Sequence, residues 1–232
     1  TMGTTGAEFE SMVDTALEIA NANGVTTESV LEMIKIYGNA ETTLDQIQAK
    51  LNVATMFQSV TGQDAQQVTT AMQAIMNQFD MAQDTAEQTS ASMQKLGDVM
   101  VAVGYSLEKD EGLAMQDIIA GVENAGAVIK NSGGSFEWLA AVVGTLSEQM
   151  NATGEETANA MKMISARTLQ SKEAIDELVA AGEDMSEIEV DASNAEKALA
   201  GIGVSVRDQT GAFKSLEDIL GEVAKKWGNL NN

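Results

Sequence analysis

The 232-residue chain sets 35 acidic against 13 basic side chains, a formal charge of −22, which repels phosphate backbones and anionic lipid and so argues against direct binding of nucleic acid or of a membrane surface. With 44% hydrophobic and 21% charged residues it belongs with folding chains, and it is long enough to bury a core. It contains no cysteine and no histidine, which excludes disulfides, thiol nucleophiles, histidine general bases and the usual zinc sites, so neither a cofactor nor a metal is expected.

The first predicted helix covers residues 7–22. The opening "TMGTTGAEFESMVD" has neither the basic region nor the apolar run of a signal peptide. Because it begins at Thr1 and not at methionine, the expectation is a piece of a longer chain or a tag remnant. Helices follow over 27–37, 43–60, 64–79, 83–103, 107–130 and 135–150, separated at several points by glycines such as Gly24, Gly38, Gly62 and Gly104. Proline is absent, where average usage predicts about eleven; short helices with glycine-capped ends accommodate that better than a sandwich or barrel rich in proline turns. "WLAAVVGTL", Trp138 to Leu146, is the longest strongly apolar run and falls far short of the ~20 residues of a membrane-spanning helix. A weak internal echo pairs "QQVTTAMQAIM" from Gln66 with "EETANAMKMIS" from Glu155. Both follow a Thr-Gly pair, at spacings that differ by three residues, and alanine-rich helices resemble one another easily.

The next predicted helix spans 154–169. Thr153, Gly154 and Glu156 form its start: the Thr153 hydroxyl accepts from a free N–H while Glu156 reaches back. Arg167, near its end, is a candidate for a buried pair with an acid of a further helix over 171–181, with a solvated guanidinium as the equal alternative. "EDMSEIEVDASNAEKALAG" from Glu183 carries six acids. It lacks the spacing of a calcium loop and reads as a solvated connector.

From Ile202 the period changes. Val204 and Val206 alternate as in a strand, and Asp208 and Gly211 occupy the first and last positions of a type I turn. Phe213 returns on a second arm, where it can cover the valines. Ser215 and Asp218 then cap a helix over 216–227 whose apolar positions, Leu216, Ile219, Leu220, Val223 and Trp227, share one face. Phe213 and Trp227 are expected to fill the core, Lys225 and Lys226 to lie in the last turn, and Gly228 to end the helix. The predicted fold is mainly α, a multi-helix globular bundle of about ten short helices with one small β-hairpin near the C-terminus. Its expected parts are an N-terminal helical subdomain (1–82), a central helical core (83–182), an acidic connector (183–200) and a hairpin with its capped closing helix (201–232).

Two stretches, Thr153 to Asp184 and Gly201 to Leu230, together resemble the core of phage tail tape-measure proteins. In that family a helix ending in Ala-Arg, here Ala166-Arg167, precedes a variable insert and a closing hairpin-helix. Val204, Val206, Asp208, Gly211, Phe213, Leu216, Asp218, Ile219, Leu220 and Lys226-Trp227 fill the places of that closing unit. Ser59 to Asp80 and Leu31 to Leu51 resemble the longer members from Firmicute phages and prophages. The resemblance implies a structural virion component that sets tail length and supports assembly and genome ejection. The implied partners are the tail tube, the tail chaperone and baseplate or tail-tip proteins, with self-association open and with assembly in the host cytoplasm. In that family the chain continues past the closing helix, so "GNLNN" is expected to be an internal cut. A secreted helical-bundle effector or pore-forming protein of a prophage-bearing bacterium is the alternative, and an enzyme is not expected.

Overall fold

The computed structural model describes residues 6–38, 43–108, 110–169, 175–176, 179–180, 182 and 194–230. Eight helices lead the chain: α1 (Gly6–Asn23), α2 (Thr27–Gly38), α3 (Leu44–Thr61), α4 (Ala65–Gln78), α5 (Ala86–Ser106), α6 (Glu111–Asn131), α7 (Phe136–Gln149) and α8 (Gly154–Leu169). A short helix α9 covers 194–201, and α10 (Leu216–Leu230) closes the described chain. The expected helix over 171–181 and connector over 183–200 fall largely outside the described residues; 175–176, 179–180 and the end of that connector, 194–200, are helical.

The helix starts are written locally. Thr43 with Gln46, Asp64 with Gln67 and Thr85 with Gln88 each form a reciprocal box, in which the cap side chain accepts from the third helical N–H and the glutamine accepts from the cap N–H. Thr153 and Glu156 bond in the same two directions, at 3.2 and 2.8 Å.

The helices converge on α6, which packs against α3, α4, α5, α7 and α8. Its residues Met115, Ile118, Ile119, Val122, Ala125 and Ile129 are buried on several sides, as a helix surrounded by others requires. One apolar cluster runs from Ala16 to Ile219, and it includes residues on both sides of the boundary expected after residue 82.

Close approach at α6 depends on missing side chains. A Cβ on Gly154, at the start of α8, would stand 1.9 Å from the Asp117 carbonyl oxygen, and one on Gly121 would stand 2.4 Å from Val143 Cγ1. The Gly154 N–H also donates to Asp117 Oδ1 at 2.9 Å, so α6 supplies a carboxylate acceptor to a second N–H at the start of α8, beside the one that Thr153 caps.

A cation lies among the apolar contacts of the first four helices. Lys50 on α3 is only 2% exposed, donates to Gln73 Oε1 at 2.8 Å and places its Nζ 5.2 Å from the centre of the Tyr37 ring. Gln73 donates onward to Asn77 and Gln83. Burial pulls the Lys50 ammonium below the ordinary lysine range and pushes the Tyr37 phenol up.

Three outcomes are expected here. Gly154→Ala forces backbone against backbone and should lower unfolding free energy by about 1–3 kcal/mol, read as a lower urea midpoint at constant m-value. Gly221→Ala, inside α10 where an added Cβ meets nothing within 4 Å, should raise it by about 0.5–1 kcal/mol. For Lys50 the folded state holds its proton less tightly than the unfolded chain, whose lysine titrates near ~10.4. Between the lowered folded pKa and that value the unfolded state therefore binds more protons, and stability climbs with pH. Lys50→Met should remove that climb in denaturant titrations repeated across alkaline pH.

Candidate functional site

Residues 194–230 gather most of the positions singled out beyond the α8 start. Asp208 makes the turn: its Oδ1 accepts from Thr210 Oγ1 at 2.7 Å, Thr210 N at 2.8 Å and Ala212 N at 3.1 Å. Those bonds, from the Thr210 hydroxyl first and then from the backbone, hold its carboxyl below the usual aspartate range. Gly211 donates to the Asp208 carbonyl at 3.2 Å with φ at 88°, a left-handed conformation that glycine adopts without penalty.

The expected β-hairpin is not formed. Among the described residues there is no strand, only an isolated antiparallel bridge between Arg207 and Phe213. Asp208 N bonds Ala212 O and Lys214 N bonds Val206 O, both at 2.9 Å. Pairing ends there because α10 begins at Leu216, with Ser215 as its cap, leaving no chain on that arm to extend the ladder. The Arg207 N–H and carbonyl face away from Phe213, where the Ser205 hydroxyl takes the first and donates to the second.

Val204, Val206, Leu216 and Ile219 are fully buried in the shared core. Phe213 is 37% exposed and lies under the Arg207 guanidinium, 3.9 Å from ring centre to Cζ, so it shields a cation and does not fill the core. Arg207 Nε also bonds Glu196 on α9 at 3.1 Å. Trp227 corrects the other core expectation: it is 61% exposed, beyond the point where the apolar stripe of α10 leaves the bundle. The helix continues through Gly228 to Leu230, so Lys225 and Lys226 precede its last turn, and Lys226 Nζ donates to Gly203 O at 2.7 Å.

Ser215 caps α10 as expected of its position, accepting from Asp218 N at 3.0 Å and donating to Asp218 Oδ2 at 2.7 Å. The residue that fastens this segment to the bundle is Glu217. Its Oε2 accepts from Ser135 N at 3.0 Å and Ser135 Oγ at 2.9 Å, while Ser135 Oγ accepts from Trp138 N at the start of α7. An anion thus sits at the positive end of a helix dipole. Ser135 and Glu217 are 82 residues apart, and no local pattern marks the pair. Arg167 is half-buried in the last turn of α8, where a cation meets the carbonyl end of the dipole; most acids of the helix expected to follow it lie outside the described residues.

These groups cap helices, close a turn and tie elements together. Among the described residues no cluster of three acids has the geometry to hold a metal ion, and no helix is long and apolar enough to cross a membrane. The arrangement belongs to a helical protein whose distinctive residues serve architecture. A sequence model of the phage-related minor tail protein family matches residues 13–232, and the chain belongs to that family. Neither a curated protein nor a solved structure matches it significantly.

Removing the Glu217 tie should loosen α10 before the bundle. Glu217→Ala should cost about 1.5–3 kcal/mol, the range for a bond to a charged group, and hydrogen exchange should quicken in 216–227 while α6 stays protected.

Proposed function

We propose that the chain is the globular region of a phage tail tape-measure protein, of the type carried by Firmicute phages and prophages, that helps set tail length and supports tail assembly and genome ejection. The observation that carries this reading is the ordered set of motifs, from the α8 start through Ala166-Arg167 to the Asp208 turn and the Ser215-capped helix, within a chain belonging to a phage tail family. A helical rod rises ~1.5 Å per residue and so acts as a ruler. The described helices α1 to α10 run from 8 to 21 residues and the longer ones turn back on one another, which suits an end piece better than a shaft.

A compact chain of this length has a radius of gyration of about 17 Å, bulky for the bore of a tube. The region therefore anchors at a tail end beside baseplate or tail-tip proteins, or opens at its glycine breaks inside the tube. Its charge of −22 keeps it from adhering to DNA that must pass the same lumen. Tube subunits and the tail chaperone are its partners in the host cytoplasm during assembly.

The test is genetic and visual. Excising the region in frame from the producing phage should abolish tails or leave them aberrant in length by negative-stain electron microscopy. Tails of normal length and infectivity would remove the proposal.

A further inference from the structure

Lys50 stands where a cation is costly. Every other described lysine and arginine reaches solvent at least in part, while Lys50 is buried in the middle of α3. Among the described residues no carboxylate pairs with it. Its partners are the Gln73 amide oxygen of α4 and the face of the Tyr37 ring of α2, and burial, with no neighbouring charge, holds its ammonium below the ordinary lysine range. An ammonium taken out of water without a counter-ion loses more solvation than one amide and one ring return.

The ring that covers this cation belongs to an outer layer. Tyr37 lies in the last turn of α2, and the main packing partners of α1 and α2 are one another, α3 and α4. Neither helix is among those that enclose α6. The layer is also imperfectly seated. A cleft of about 140 Å³ lies between it and α3, with Met12 and Thr15 of α1, Ile34 of α2, and Ile47 and Leu51 of α3 in its walls. Side chains that border such a gap lose the contacts a filled core provides. Lifting the layer exposes apolar side chains of α2, among them Val30 and Met33, and that cost opposes opening. The same movement returns the Lys50 ammonium to water, which offsets part of the cost.

We propose that α1 and α2 form a cover that lifts from α3 and α4 as a unit while the rest of the bundle stays folded, and that the Lys50 ammonium beneath it sets how readily it lifts. Cooperative units that open below the free energy of global unfolding are a general property of folds; here the position of one uncompensated charge selects the unit. The proposal stands apart from the tail-length reading, and its test reads local opening alone.

The 232-residue chain is followed by hydrogen-exchange mass spectrometry near neutral pH. Amides of α1 and α2 should exchange together, and sooner than those of α6. Lys50→Met keeps the length of the side chain and removes the charge; Gln73 is half-buried, so water can replace its lost donor. Exchange in α1 and α2 should then slow about tenfold or more, the gain expected when a buried ion gives way to an apolar side chain of similar size. Lys50→Leu takes its place should Lys50→Met alter the circular dichroism spectrum. Val143→Ala, where α7 meets α6, supplies the converse. It should quicken exchange in α6 about tenfold or more and leave α1 and α2 unchanged, because Val143 stays packed when only the cover lifts. Equal protection of α2 and α6 in the parent chain overturns the proposal. So does exchange in α1 and α2 that fails to slow when Lys50 loses its charge, which is fraying that never uncovers the ammonium. A rise in α1 and α2 that tracks α6 in Val143→Ala also overturns it, since their opening is then global unfolding.

Discussion

The fold depends on how closely α8 can approach α6. Gly154 sets the first residue of α8 against the carbonyl of Asp117, at a distance no side chain allows, and the Asp117 carboxylate accepts its N–H. That one contact fixes the height of α8 along the central helix. Gly121 admits Val143 of α7 and itself lies near the Gly154 carbonyl, so α6, α7 and α8 meet at a single place. The buried faces of α3, α4 and α5 then complete the enclosure of α6. With few aromatic residues and many methionines, such a core fills its volume with slender, adaptable side chains, and the spacing of the backbones decides the packing.

The C-terminal segment is held differently. Its valines and the first turns of α10 share the core, but its orientation rests on the Glu217 carboxylate at the start of α7 and on Lys226 reaching the Gly203 carbonyl. Polar ties of this kind are directional and individually modest. The buried residues therefore hold the segment on the bundle, and the polar ties set its direction.

Much of the helical content was legible in the sequence because glycine stops and amphipathic stripes are local signals. The expected helix over 154–169 coincides with α8, and the one over 27–37 differs from α2 by a residue. The α5 boundaries shifted from 83–103 to Ala86–Ser106 because its start is a Thr85–Gln88 box; glutamine serves there as glutamate does at Glu156, and that spacing was available to be read. The hairpin was misjudged because alternation and a good turn show where a chain reverses, while the number of rungs depends on how soon the next element begins, here α10 at Leu216. Trp227 was misjudged because a stripe on a helix says which face is apolar and says nothing of where the opposing surface ends. The tie of Glu217 to Ser135 lay beyond sequence reading altogether, since only the tertiary fold brings an acid to the start of a helix 82 residues away.

The lack of proline has a kinetic side. Slow phases in refolding commonly come from rotation about bonds preceding proline, which takes tens of seconds at room temperature. Here the starts of α2 to α8 and of α10 carry their own instructions in adjacent residues, and no such rotation stands between the collapsed chain and the native one. A polypeptide of this design, drawn out through a narrow passage and then let go, can recoil on the clock of docking spirals.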